Sequence, residues 1–203
     1  MGQHFTLYTS HLTLKTLPYI SLEPHLPGIT GLLEYSKATA DPIRELTQFL
    51  LRGTNTLTEG ERELIATTVF YGNQCTFCTT AHTAAADLLL GDNITTESVK
   101  QDVQSAPVSN KMKALLTIAN MVRESGKSVT ETAIAKAKSE GATDVEIHDT
   151  VLIAALFCLY NRYVDRLGTA LPADKNYYNM LGERLVTNGY NWLPQGYDHL
   201  KKQ

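Results

Sequence analysis

Two thiols and an imidazole lie one helical turn apart in the stretch Cys75-Thr-Phe-Cys78-Thr-Thr-Ala-His82. At 3.6 residues per turn, positions 75, 78 and 82 share a face with Ala85, Ala86 and Leu89, so thiols and base are expected on the buried side of a helix. A Cys-x-x-Cys pair that opens a helix suits redox chemistry. The partial positive charge of the helix N-terminus stabilises a thiolate, and the three-residue spacing lets one sulfur reach the other. The pair can cycle between dithiol and disulfide. His82, one turn beyond Cys78, can take the thiol proton or hand one to a leaving group, and on this reading Cys78 is the better-activated sulfur. Two alternatives use the same residues. A zinc site would need a fourth ligand, and no second Cys-x-x-Cys or His-x3-His pair is present. Otherwise the three are packed core residues in register. The third cysteine, Cys158, lies in the apolar run Ala154-Ala-Leu-Phe-Cys-Leu and reads as a small buried hydrophobe.

The elements that must hold this motif are helices. From Asp41, with Pro42 at a first helical position, Ile43, Leu46, Phe49 and Leu50 recur at helical spacing up to Gly53. Thr58-Glu-Gly-Glu61 matches a capping box and predicts a second helix to about Tyr71. Gly72-Asn73 breaks it, and a third begins near Cys75 and runs to Gly91. Further helices are predicted over 95–104, 108–124 and 130–140, then a long one capped by Asp144 to about Leu167, and a last from Asp174 to about Asn188. No convincing period-2 strand appears, so the fold class is all-α, with short connections favouring antiparallel neighbours. Pro18, Pro24, Pro27, Gly28 and Gly31 punctuate residues 1–40, which read as an arm with short helical turns. Residues 41–189 form the helical domain. The tail, 190–203, opens with Tyr190-Asn-Trp-Leu-Pro-Gln-Gly-Tyr197. It is too punctuated for a helix and too aromatic for a free linker, and is expected to pack on its own subunit or a neighbour.

Composition bounds the setting. A chain of 203 residues, 43% hydrophobic and 19% charged, can bury a substantial core as a single domain. The net charge of -3, with Lys and Arg scattered apart from Lys201-Lys202, gives no general reason to bind nucleic acid. Three cysteines without a secretory pattern do not suggest a disulfide framework. The first residues lack both a basic n-region and an apolar h-region, so the expected location is cytoplasmic. Gly2 and Thr6 fit a loose myristoylation pattern, which chance explains. The longest apolar run, Val151 to Tyr160, falls well short of the roughly 20 residues that cross a bilayer, so no membrane role is expected.

Glu63, Cys75, Cys78 and His82 together form the pattern Glu-x11-Cys-x2-Cys-x3-His. It resembles the active-site motif of the AhpD-like alkylhydroperoxidases, within the carboxymuconolactone decarboxylase superfamily. The segment Leu57-Thr-Glu-Gly-Glu-Arg-Glu-Leu-Ile-Ala66 resembles that family's helix leading into the motif. The stretch from Asp144 through Asn161-Arg162 and Asp165 to Leu167-Gly168 is similar to the late helix of the peroxidase-related branch. The resemblance spans roughly residues 40–170.

It implies an AhpD-like multi-helix bundle with the Cys-x-x-Cys pair at the start of a buried helix. The implied activity is thiol-dependent hydroperoxide reduction in antioxidant defence, with no metal or flavin cofactor. Cys78 would attack the peroxide, Cys75 would resolve the sulfenic acid as a disulfide, and Glu63 and His82 would relay protons. An external thiol or disulfide reductant would regenerate the dithiol, in a homo-oligomer such as a trimer or hexamer. The decarboxylase branch generally lacks the cysteine pair, which makes lactone decarboxylation the poorer fit. Phe77 is a departure: the best-characterised branch has a histidine directly before the second cysteine, so a shorter relay, weaker peroxidase activity or a different substrate is implied. A redox-sensing or interaction module and a protein dithiol oxidoreductase are the other readings of the dithiol. The role of Glu63 rests on the resemblance. On a helical wheel it sides with Ala66 and Phe70, away from Leu64, Ile65 and Val69, and taken alone it reads as a solvated carboxylate. Tyr160, Asn161, Arg162 and Asp165, late in the long helix, read as structural hydrogen-bonding residues.

Overall fold

Leu64, Ile65, Ala66, Val69 and Phe70 are all wholly buried, and they occupy every side of one helix. That helix, α3 (Glu59–Gly72), is the centre of the fold. In this computed structural model, which describes residues 18–192 and 196, it is surrounded by α2 (Lys37–Arg52), α4 (Thr76–Leu90), α5 (Ile94–Gln101), α6 (Asn110–Glu124) and α8 (Asp144–Arg166). Three shorter or outer helices complete the described chain: α1 (Ile29–Tyr35), α7 (Glu131–Ser139) and α9 (Lys175–Asn188). Among the described residues the regular elements are all helical, so the all-α class stands. None of these helices is long and apolar enough to cross a membrane. The myristoylation pattern and the tail beyond Trp192, Gly196 apart, fall outside the described residues.

Two helix starts differ from the sequence reading, each for a local reason. The first long helix begins at Lys37 rather than Asp41, leaving Pro42 inside it. Ser36 nucleates the earlier start: its carbonyl accepts from Ala40 N at 2.9 Å and from Thr39 Oγ1 at 3.1 Å. Pro42 costs only the one amide that would have bonded a turn back. The long helix is capped by Thr143, not Asp144. Glu146 N donates to Thr143 Oγ1 at 3.2 Å, and Thr143 N to Glu146 Oε2 at 2.8 Å, a reciprocal pair that Asp144 could not complete. The same device at Thr58 and Glu61 opens α3.

Glu146 also ties three segments together. It is buried and accepts from Lys111 Nζ and Thr56 Oγ1, both at 2.8 Å. Burial works against its charge, but Lys111, the Thr143 amide and Thr56 outweigh that and pull its pKa from 4.5 to about 2. A carboxylate depressed by folding stabilises above its unfolded pKa, and the contribution fades as pH falls from about 4.5 through about 2. Glu146→Gln is therefore expected to cost about 2–3 kcal/mol at neutral pH. Urea unfolding at pH 7 and pH 3 checks this, since the deficit should shrink at the lower pH.

The outer helices shape what lies over the cysteine motif. Gly28, at φ 58, passes so close to the Phe77 ring that a Cβ there would fall 2.3 Å from it. Gly182 likewise lets α9 approach α4, where a Cβ would lie 2.8 Å from the Ala84 methyl. The small residues let the start of α1 reach the first turn of α4, at Phe77, and let α9 pack on the middle of α4, at Ala84.

Candidate active site

Cys75 is the N-cap residue of α4. A tight turn puts it there: Gln74 N donates to Tyr71 O at 2.9 Å and Cys75 N to Phe70 O at 3.1 Å, folding the motif back onto the end of α3. Gln74 carries φ 59, the one positive value among the described non-glycine residues, and such strain costs a non-glycine residue about 1 kcal/mol. Its side chain is exposed. Gln74→Gly is expected to raise stability by about 0.5 kcal/mol once glycine's extra chain entropy is deducted, whereas β-branched Gln74→Ile should lose about 1–2 kcal/mol. Thermal unfolding of both variants tests the sign.

The four residues singled out in the sequence converge. Cys75, Cys78 and His82 are 2%, 4% and 7% exposed, and Glu63 is fully buried. Glu63 is thus no surface carboxylate. Its helix has no solvent face along this stretch, and polar groups take their places around it among apolar ones, which is why periodicity misplaces it. Glu63 Oε2 lies 2.7 Å from His82 Nδ1, while Oε1 accepts from Arg52 Nη2 and from the Tyr190 hydroxyl, each at 2.6 Å. Burial disfavours the charge on Glu63, but His82, Arg52 and the Tyr190 hydroxyl outweigh it and hold the carboxyl below its ordinary value. An anionic acceptor at Nδ1 requires a proton on that nitrogen, which leaves Nε2 as the working atom of the imidazole. Phe70 and Phe157 flank the ring at 4.6 and 5.2 Å between centroids, and Tyr190 stacks on it at 6.0 Å.

Arg52 and Tyr190 are site residues that the sequence reading missed. Arg52 stands in the last turn of α2, where a cation is an ordinary feature of a helix end. Tyr190 lies 127 positions from its partner Glu63, and only the aromatic character of the tail hinted that it packs. The segment is strapped to α2: Tyr190 N donates to Gln48 Oε1 at 2.7 Å and Arg44 Nη1 to Tyr190 O at 3.1 Å. Arg44 also stacks on the Trp192 ring at 3.9 Å. Through Trp192, then, the tail packs on its own chain.

The two thiols, both free, are unequal in a way the sequence did not indicate. The Cys78 thiol and amide both serve Cys75 and lower its pKa against the opposing effect of burial. The same hydrogen bond, with burial, pushes Cys78 well above the usual thiol value. Cys75 is therefore the more acidic thiol of the pair, the reverse of the ordering expected from His82. The cause lies in the contact between the two sulfurs, in which Cys75 is the acceptor, with the Cys78 amide at the start of α4 adding to it.

Cys78 and His82 face a small, mainly apolar cavity of about 50 Å³, walled by Leu33 of α1, Leu181 and Leu185 of α9, and Tyr160 and Tyr190. It has room for a few water-sized groups. Cys75 is not part of its wall. Phe77, directly before the second cysteine, is buried against Tyr177, Tyr178 and Gly28 and serves as packing for α9. Arg162 turns back onto its own helix, donating to Cys158 O at 2.9 Å. Among the described residues no cluster of three or more His, Cys, Asp or Glu side chains is arranged to hold a metal ion.

Fold and site together define a class of helical protein in which a central helix supplies a buried carboxylate and the next supplies a dithiol and an imidazole. The chain has the fold of the AhpD-like, peroxidase-related proteins. It is similar to the alkylhydroperoxidase AhpD core of an uncharacterized peroxidase-related protein from Ralstonia eutropha JMP134, with 25% identity and a TM-score of 0.68 over 77% of this chain and 80% of that one. It is similar also to an uncharacterized peroxidase-related protein from Silicibacter sp. TM1040, with 24% identity and a TM-score of 0.68 over 75% of this chain and 78% of that one. No protein-family profile and no curated protein matches the chain.

Proposed function

We propose that this protein is a thiol-dependent hydroperoxide reductase in which Cys78 attacks the peroxide, Cys75 closes the disulfide, and His82 and Glu63 move the proton. The observation that carries the reading is that Cys78 and His82 share the wall of one small cavity while Glu63 holds the far nitrogen of the imidazole. Peroxide in that cavity meets Cys78. The Cys78 proton passes to His82 Nε2, the imidazolium being stabilised by Glu63. The sulfur bonds to one peroxide oxygen, the O–O bond breaks, and the alcohol leaves with the proton from His82, giving Cys78 sulfenic acid. Cys75 then displaces water to form the Cys75–Cys78 disulfide, which an external dithiol reduces. The protein would work as a trimer or hexamer in the cytoplasm; sedimentation as a monomer at micromolar concentration would contradict the assembly.

The test is a stopped-flow titration of the reduced protein with hydrogen peroxide and an organic hydroperoxide, followed by mass spectrometry of both cysteines. One intramolecular disulfide per chain, formed faster than a free cysteine oxidises, is expected. Slow oxidation, or oxidation elsewhere, sinks the assignment. Phe77, a hydrocarbon in a relay position, favours a second reading, a dithiol switch without turnover, and sustained peroxide consumption with a dithiol reductant would reject it.

A further inference from the structure

The cavity in front of Cys78 and His82 has a definite mouth and a definite size. The side chains that wall it are buried except for Ile29, Leu181 and Arg184, which are half-buried, so it opens between the first turn of α1 and the middle of α9. Two aliphatic pairs stand there. Ile29 and Leu33 lie one turn apart on one face of α1, and Leu181 and Leu185 one turn apart on one face of α9. Glycine sets how near the two helices come. The chain entering α1 is held where Gly28 N donates to Ala170 O at 3.1 Å, with Gly28 against the Phe77 ring. Next to Leu181, Gly182 packs so closely on α4 that an added Cβ would stand 2.8 Å from the Ala84 methyl and 3.0 Å from the Ala84 carbonyl carbon. Gly182 is not part of the wall, yet it sets how far Leu181 and Leu185 reach over the cysteine. The space left is about 50 Å³. A water-sized group takes about 10–15 Å³ of such volume, so the cavity holds roughly three to five non-hydrogen atoms. Hydrogen peroxide and ethyl hydroperoxide are within that limit, and cumene hydroperoxide, with its phenyl ring, exceeds it roughly twofold.

Deepening the peroxidase reading, and resting on it, we propose that the aliphatic pairs of α1 and α9 form a size filter. The substrate is hydrogen peroxide or a hydroperoxide whose substituent has no more than about three carbons, and Leu181, at the mouth, is the residue that sets the limit. The chemistry requires the whole O–O unit to enter. The Cys78 sulfur takes the terminal oxygen as the O–O bond breaks, and the oxygen that carries the substituent leaves with the proton from His82. Approach along the O–O axis therefore places the substituent on the far side of the peroxide from the sulfur, among the aliphatic side chains. Carbon packed against them is favourable until the space is filled, and beyond that point each further carbon must displace a side chain. Leu33 and Leu185 are buried and line the interior. Leu181 is half-buried, and its position follows that of α9, which Gly182 fixes on α4.

The test is kcat/KM for hydrogen peroxide, ethyl hydroperoxide and cumene hydroperoxide with a dithiol reductant, each divided by the rate of the same peroxide with free cysteine. In the wild type the corrected value for cumene hydroperoxide is expected at least about 100-fold below that for ethyl hydroperoxide. Leu181→Ala should raise the cumene-to-ethyl ratio about tenfold or more, and Leu181→Phe should lower ethyl hydroperoxide about tenfold relative to hydrogen peroxide. Gly182→Ala, which shifts α9 without replacing any wall residue, should raise the cumene-to-ethyl ratio too. Opposite changes from two substitutions at one position are not what general loosening produces. A wild-type protein that reduces cumene hydroperoxide within about threefold of ethyl hydroperoxide overturns the filter, and so does a ratio that is the same in Leu181→Ala and Gly182→Ala as in the wild type. If no peroxide oxidises the wild-type protein, the peroxidase reading fails alone. Alkylation of Cys78 by acrylonitrile and by N-phenylmaleimide, corrected in the same way and read by mass spectrometry, then decides the filter. A preference for acrylonitrile that relaxes in Leu181→Ala supports it, and an equal preference in the two proteins overturns it.

Discussion

Cys78→Ser is expected to lose hydroperoxide reduction by at least about 10³-fold, while Cys75→Ser should consume one equivalent of peroxide and stop at the sulfenic acid. The asymmetry follows from position. Cys78 is on the cavity wall and Cys75 is not, so a peroxide in the cavity can reach only one sulfur, and a serine hydroxyl there is far too weak an acid to replace a thiol. The thiols' acidity sharpens the expectation. Cys78 is pushed up chiefly by its hydrogen bond to Cys75, then by burial and by the Cys75 charge. Replacing Cys75 removes the first and third of these, so Cys78 should become more acidic, and its first reaction with peroxide at neutral pH should be no slower than in the wild type. Trapping with dimedone, followed by mass spectrometry, reads the sulfenic acid directly. Persistent first-turnover peroxide consumption in Cys78→Ser, with none in Cys75→Ser, would reverse the two roles.

The fold was legible wherever a local rule sufficed. Capping at Thr58, the Gly91 stop and Asp174 at the start of the last helix each place a boundary within a residue or two, because caps act within one turn of chain. The start of α2 slipped because Ser36 and Thr39 form a turn that no apolar spacing announces. At the site, the face shared by Cys75, Cys78 and His82 is a property of one helix and could be counted. Glu63 could not be counted, since what buries it is a ring of other helices around α3. Arg52 and Tyr190 were out of reach for the same reason: their contacts with Glu63 exist only once α2, α3 and the segment after α9 have met. The difference between the two thiols depends on which sulfur accepts from the other, a matter that periodicity does not resolve.

Glu63→Gln is expected to reduce kcat/KM about 10²–10⁴-fold and Glu63→Ala to destabilise the protein by about 3–5 kcal/mol as well. One carboxylate satisfies His82, Arg52 and the Tyr190 hydroxyl, and the Arg52 side chain is only 5% exposed, so removal leaves a buried cation with the half-exposed Glu59, 3.5 Å from its Nε, as its remaining carboxylate partner. The glutamine keeps the volume and can still accept a hydrogen bond, but it brings no charge to an imidazolium forming at His82, and its amide hydrogens face donors. Tyr190→Phe keeps the charge and loses one hydrogen bond, so a smaller cost of about 1–2 kcal/mol is expected, with activity reduced less than in Glu63→Gln. The two changes share an oxygen, and the double variant should fall short of the sum. Acidity supplies an independent check. Folding holds the Glu63 carboxyl below its ordinary value of 4.5, so its contribution is complete above that pH and is lost as pH falls through the lower folded value. The stability gap between wild type and Glu63→Gln should therefore be widest at neutral pH and narrow on acidification. A gap that is independent of pH would mean that packing, rather than the charge shared among Arg52, His82 and Tyr190, is what Glu63 provides.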